Sequence, residues 1–221
     1  MNILITGSTG MVGKGVLLEA LIDERISFIT LINRHSIGIV HSKIKEIIHD
    51  DFQNISSIKD QLKEIDACIF CMGVSSVGLK EPEFNRLTFE IVKEFADKLY
   101  ELNPKLLFSY ISGTGTDSSE KGKIMWARIK GKTENYILNK GFKSSFAFRP
   151  GIIIPEKSIR SKTKIYNTAY IILKPLFPLF NLSKNVTTTT KLGKAMLNII
   201  FKQPGDNHFE NARINELAEF K

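Results

Sequence analysis

The sequence predicts an α/β fold, a doubly wound parallel sheet covered by helices on both faces. Three observations lead there. Short apolar runs alternate with helical periodicity from the N-terminus to about residue 150. A glycine triplet spaced Gly-x-x-Gly-x-x-Gly lies between the first apolar run and the first helical pattern. The chain has 221 residues, 43% hydrophobic and 24% charged, enough to bury a full core in one soluble domain.

A strand over residues 2–6 runs into Gly7, and a helix comes next with Val16, Leu17, Ala20 and Leu21 on one side. Apolar runs give strands over 28–32, 44–48 and 67–70. A long helix begins after Pro82 and reaches about residue 102. Its stripe is Phe84, Leu87, Ile91, Phe95 and Leu99, and Asn103-Pro104 stops it. A strand over 106–111, a polar loop over 112–123, a helix over 124–139 and a strand over 145–148 come next. Strands that alternate with helices are joined by crossovers and pair in parallel. After Arg149-Pro150-Gly151 the alternation weakens. Residues 152–185 read as a small irregular C-terminal lobe over the sheet's carboxyl edge, with Ile152, Ile153 and Ile154 as core. The aromatic stretch Tyr166, Tyr170, Phe177, Phe180 fits core, an apolar substrate wall or a subunit surface. A helix over 192–202, a strand over 207–209 and a helix after Ile214 complete one domain over 1–221.

Several classes are set aside. Ile3-Leu4-Ile5 is too short for a signal peptide. The apolar stretch 166–182 carries Lys174, Pro175 and Pro178 and is too short to span a bilayer. Net charge is +8, but the lysines are scattered without interleaved aromatics, so no nucleic-acid partner is expected. Cys68 and Cys71 read as small core hydrophobes with reduced thiols, which points to the cytoplasm. The four histidines, His35, His41, His49 and His208, lack metal-ligand spacing. His35 can line a phosphate pocket, and the other three read as surface residues.

The glycine triplet carries chemistry. Strand, glycine turn and helix N-terminus form the context in which backbone N–H groups cradle a dinucleotide pyrophosphate, the mark of a Rossmann-type sheet. Gly7, Thr9, Gly10, Met11, Val12 and Gly13 are the expected cradle. Gly7 gives the turn, Gly10 close approach to phosphate, and Gly13 close packing of helix on sheet. The second strand ends in Asn33-Arg34 rather than a carboxylate. Arg34 can bond a 2′-phosphate, so NADP is favoured over NAD. Asp51, with Asp50 as its competitor, and Phe52, after the third strand, are expected beside the adenine. Cys71 and Gly73, after the fourth, are expected along the cofactor. Arg149 suits either an anionic ligand or a structural ion pair.

These segments, with Ile111-Ser112-Gly113, Lys130-Gly131-Lys132-Thr133-Glu134 and Phe148-Arg149-Pro150-Gly151, together resemble an atypical short-chain dehydrogenase. The resemblance covers residues 1 to about 155, and more loosely the rest, and is nearest the branch of Tat-interacting-protein-like oxidoreductases and proteins labelled NAD-dependent epimerase/dehydratase. It implies that Ser112 bonds the substrate oxygen and that Lys130 binds the nicotinamide ribose, with Pro150 beside it. Four residues before that lysine the family has tyrosine. Here Trp126 stands there.

An indole N–H donates but has no accessible deprotonated form, so Trp126 cannot exchange a proton as a phenol does. Tyr110, Asp117, Ser118, Ser119 and Arg128 lie nearby in sequence, and Asp117 is the best replacement acid among them. The expected function is therefore an NADP(H)-dependent oxidoreductase on a small or apolar carbonyl or hydroxyl compound. The alternatives are a weakly active or inactive NADP(H)-binding redox sensor or regulator and, ranked lower, a nucleotide-sugar epimerase or dehydratase. A monomer or a homodimer is expected.

Overall fold

A computed structural model describes residues 1–157, 159 and 185–220. Most of the expected lobe, including the stretch 166–182, lies outside the described residues. The elements are β1 (Asn2–Thr6), α1 (Met11–Ile22), β2 (Phe28–Asn33), β3 (Ile44–Ile48), a 3-10 helix (Ser56–Leu62), β4 (Ala67–Phe70) and α2 (Glu81–Asn85). They continue with a π-helical turn (Arg86–Glu90), α3 (Ile91–Leu102), β5 (Leu107–Ile111), α4 (Met125–Leu138), β6 (Ser144–Arg149) and β7 (Ile152–Ile154). After the undescribed stretch come β8 (Val186–Thr188), α5 (Thr189–Phe201), β9 (His208–Glu210) and α6 (Asn211–Leu217).

Seven strands form one parallel sheet in the order β3-β2-β1-β4-β5-β6-β9. The order reverses between β1 and β4, and the crevice at such a reversal is where open α/β sheets bind ligands. Strand periodicity of two divides the core. Ile3, Ile5, Leu31 and Ile69 face α1, α5 and α6, whereas Leu4, Ile32, Cys68 and Phe70 face the 3-10 helix and α3. Both faces are buried, so these strands read as continuous apolar runs. Cys68 and Cys71 are free thiols. No described helix is long and apolar enough to cross a membrane.

Some expectations are corrected. The helix after Pro82 is not continuous α-helix. The π turn adds a residue to one turn and rotates α3 relative to α2, so Phe84 joins Phe89 and Ile129 in a small third cluster while Leu87 packs toward the second face. Ile152 is 59% exposed rather than core; Ile153 and Ile154 are buried. β7 pairs with β8 in a separate two-stranded parallel sheet. Helix α5 starts three residues earlier than its apolar pattern because the Thr188 hydroxyl caps it, accepting from the Lys191 N–H at 3.1 Å. Helix α6 likewise begins at Asn211, ahead of Ile214.

Candidate functional site

At the carboxyl ends of β1, β2 and β4 lies a cavity of about 290 Å³. Gly7, Thr9, Gly10, Asn33, Arg34, His35, Phe52, Cys71 and Gly73 are among its lining residues. Gly7 has φ +68°, and a Cβ there would stand 2.8 Å from the Cys71 carbonyl, so only glycine lets β1 turn beside β4. A Cβ on Gly13 would drive into the Gly7 carbonyl oxygen, so the loop and α1 close only on glycine. This cradle, which a single Cβ would fill, opens at a helix N-terminus and fits a pyrophosphate.

Asn33 is buried, and its side chain ties two segments together while keeping one N–H and one lone pair. Its oxygen accepts from the Ser8 hydroxyl at 2.9 Å and its NH₂ donates to Glu46 at 2.8 Å. Arg34 is exposed and makes no hydrogen bond or ion pair among the described residues. Burial pushes the Cys71 thiol far up, so it stays protonated and uncharged at the cavity wall.

A second group of residues sits at the ends of β5 and β6. Lys130, on α4, donates to the Ser112 carbonyl at 2.7 Å. Burial pulls its ammonium down to about 8, against the upward pull of the Glu134 carboxylate one turn on. Ser112 is buried, with its hydroxyl 2.7 Å from that of Thr116. Thr116 donates its only proton to the Gly113 carbonyl at 2.7 Å, so the proton between the two hydroxyls comes from Ser112. Ser112 thus meets a ligand as an acceptor. The Ser112 N–H donates to the Phe148 carbonyl and the Thr114 N–H to that of Pro150, which fastens this loop to the end of β6.

Asp117, the best of the replacement acids named from the sequence, offers no proton. Asp117 accepts from the Ser119 hydroxyl at 2.6 Å, the Gly122 N–H at 2.7 Å and the Ser119 N–H at 3.0 Å. These bonds hold its carboxyl below the usual range, so it is ionised at neutral pH. Tyr110 is 2% exposed in the core, and burial pushes its phenol up. Arg128 is bonded to Glu81 and the Gly122 carbonyl, and the Ser118 hydroxyl lies on Arg149. Trp126 packs against the cluster of Phe84, Phe89 and Ile129.

Arg149 forms the structural ion pair. Its Nε donates to both oxygens of the fully buried Glu134, at 3.0 and 3.2 Å, and Nη2 adds a third bond to that carboxylate. His208, expected at the surface, lies half-buried, 3.5 Å from the same carboxylate. Burial, then the Arg149 charge, holds its imidazole below the usual value.

No family model matches the chain. It is 23% identical to the protein HTATIP2 of Rattus norvegicus over 158 residues, 71% of this chain and 64% of that protein. It is 26% identical to the mitochondrial protein FMP52 of Candida albicans over 161 residues, 71% of this chain and 69% of that one. Among solved structures it superposes on a UDP-glucuronic acid 4-epimerase from Bacillus cereus in complex with UDP-glucuronic acid and NAD. The TM-score is 0.65 at 12% identity, covering 95% of this chain and 77% of that one. The chain shares the Rossmann-type α/β fold of that solved structure.

The expected site residues divide into two groups. Gly7, Thr9, Gly10, Asn33, Arg34, Phe52, Cys71 and Gly73 meet at one cavity. Ser112, Lys130 and Pro150 meet at the β5–β6 end but do not line that cavity. Met11 and Val12 begin α1 and pack toward the first-face core. Asp51 stands beside the cavity rather than in its lining. Its carboxylate folds back onto the Gln53 N–H at 3.1 Å, and Phe52 takes the place on the cavity wall. Glu46 and Thr116 were not singled out from the sequence, and Leu87 and Ile91, read there only as part of a buried helical stripe, were not expected at the cavity. Their roles depend on strand register, a loop hydrogen bond and the π turn, none of which leaves a local signal.

Proposed function

We propose that the chain binds NADP(H) across the carboxyl edge of its sheet and acts as an oxidoreductase on a small or apolar carbonyl or hydroxyl compound. The observation that carries this reading is the glycine cradle opening into the 290 Å³ cavity with Arg34 at its rim. The solved epimerase holds NAD. In this chain Arg34 is assigned to a 2′-phosphate, and NADP is favoured for that reason. A bound nicotinamide supplies or accepts hydride. Gly7, Thr9, Gly10, Met11, Val12 and Gly13 hold the pyrophosphate, Asn33 and Arg34 the adenosine ribose, Phe52 the adenine, and Cys71 and Gly73 the middle of the cofactor. Lys130 and Pro150 meet the nicotinamide ribose. Ser112 accepts from a substrate hydroxyl. With no phenol at residue 126 and Asp117 ionised, the carbonyl proton comes from a bound water, and turnover is slow.

A second reading, an NADP(H)-binding sensor or regulator, is favoured by one observation. The Ser112 proton is spent inside the loop on Thr116. Sugar-nucleotide chemistry ranks below both. We place the protein in the cytoplasm, as its two free thiols suggest, although the yeast relative's name carries "mitochondrial". As an assembly it is a monomer or a homodimer.

Calorimetric titration with NADPH, NADP and NADH, on wild type and Arg34→Ala, tests the proposal. Wild type should bind NADPH more tightly than NADH, and the variant should lose about tenfold toward NADPH, the worth of one charge-assisted contact. If no nicotinamide dinucleotide binds, the oxidoreductase and sensor readings both fall.

A further inference from the structure

We infer that Glu46 is the positioning residue that sets discrimination between NADPH and NADH, by fixing the loop that carries Arg34. The inference rests on the cofactor reading above. Glu46 lies on β3, opposite Leu31 of β2, and its side chain reaches past the end of β2. One oxygen accepts from Asn33 Nδ2 at 2.8 Å and from the Ile37 N–H at 3.0 Å; the other accepts from the Ser36 hydroxyl at 2.6 Å. Ser36 in turn accepts from the Gly38 N–H at 3.1 Å. The chain is therefore tied to one carboxylate on both sides of Arg34 and His35. Asn33 also accepts from Ser8, so the tie continues into the glycine loop.

Glu46 does not line the cavity and makes no ion pair among the described residues, so it acts on a cofactor only through this loop. Burial raises its carboxyl, but the bonds from Ser36, Asn33 and Ile37 outweigh it and keep the group ionised. Three donors without a cation leave Arg34 with its full charge for an incoming phosphate. An arginine on a pinned loop also loses less freedom on gripping that phosphate than one on a free loop.

The test is calorimetric titration of Glu46→Ala, Glu46→Gln, Ser36→Ala, Arg34→Ala and the Glu46→Ala/Arg34→Ala double variant with NADPH and NADH. Glu46→Ala should weaken NADPH about tenfold and NADH less than about twofold. Glu46→Gln keeps an acceptor for Asn33 and Ile37 and a partner for Ser36, and should stay within about threefold of wild type. The double variant should bind NADPH no more weakly than Arg34→Ala alone, because the two act through one contact. Ser36 itself lines the cavity, so Ser36→Ala takes a hydroxyl from the cavity together with one of the donors to Glu46; it should weaken NADPH about threefold and is the milder second variant if Glu46→Ala folds poorly. Equal loss toward both cofactors, no loss toward NADPH, or full additivity with Arg34→Ala would overturn the inference while leaving the cofactor reading intact. Wild type that binds neither dinucleotide would remove both.

Discussion

The two ends of the sheet's carboxyl edge are built from the same kinds of residue and are finished differently. At the β1–β2–β4 end the glycine loop opens on a cavity and Arg34 stands exposed without a partner among the described residues. At the β5–β6 end the polar groups have turned inward. Ser112 is held by Thr116, Lys130 by the Ser112 carbonyl, Asp117 by its own loop and Arg149 by Glu134. The contrast separates recognition from chemistry. One half presents charge and backbone to a ligand. The other spends its hydrogen bonds on holding its shape.

The largest expected effect breaks the inward-turned half. Glu134 is fully buried and neutralises Arg149, with His208 beside it. Glu134→Ala would strand a partly buried guanidinium, and breaking such a pair costs about 3–5 kcal/mol. For a chain of this size that lowers Tm by about 10 °C. Arg34→Ala, at the open end, should move Tm by less than about 1 °C. Thermal unfolding of the two variants side by side measures the contrast, and equal shifts would erase it.

A smaller and more specific effect is expected at the missing phenol. Trp126→Tyr should raise NADPH-dependent reduction of an aromatic aldehyde at least about tenfold, since a positioned general acid contributes about 10²–10⁴. A rate that stays flat or falls would mean that wild type already has an acid, and that the β5–β6 end is less closed than its hydrogen bonds indicate.

The sequence and the structure agree where local pattern decides and part where contacts between distant residues decide. The strands of the large sheet and most of the helices were legible because apolar runs and helical stripes reflect backbone period. The glycine cradle was legible because its spacing marks a strand–turn–helix junction, although Gly7 also answers to the close approach of Cys71 on β4. Glu46 was not, since only the register of β3 against β2 sets it beside Asn33. The absence of a carboxylate at the end of β2 was read correctly, yet a carboxylate from the neighbouring strand organises that end. Asp117 had the right residue type and place in the chain for an acid. What disqualifies it is a set of loop bonds from Ser119 and Gly122 that residue spacing does not reveal.

The smallest effect sharpens the comparison by finding the exception within the closed half. Lys130 titrates near 8, below the ordinary lysine value of 10.5, because burial disfavours its charge. Proton counts give the sign. Below pH 8 the folded and unfolded chains both carry this proton, and the full penalty of the buried charge is present. Between 8 and 10.5 the unfolded chain binds more protons at this residue, so stability rises with pH. Lys130→Met removes both the charge and its titration. It should therefore raise Tm at pH 7 by about 2–4 °C, on the order of 1 kcal/mol after allowance for solvent screening, and the gap should close as pH climbs toward 10. Unfolding curves of the two proteins across that range decide the matter. A gap that stays constant would mean that the Ser112 bond, not the charge, governs the position. A gap that closes would mark Lys130 as a charge held against the preference of its surroundings, ready for a ligand that the rest of the β5–β6 end does not yet meet.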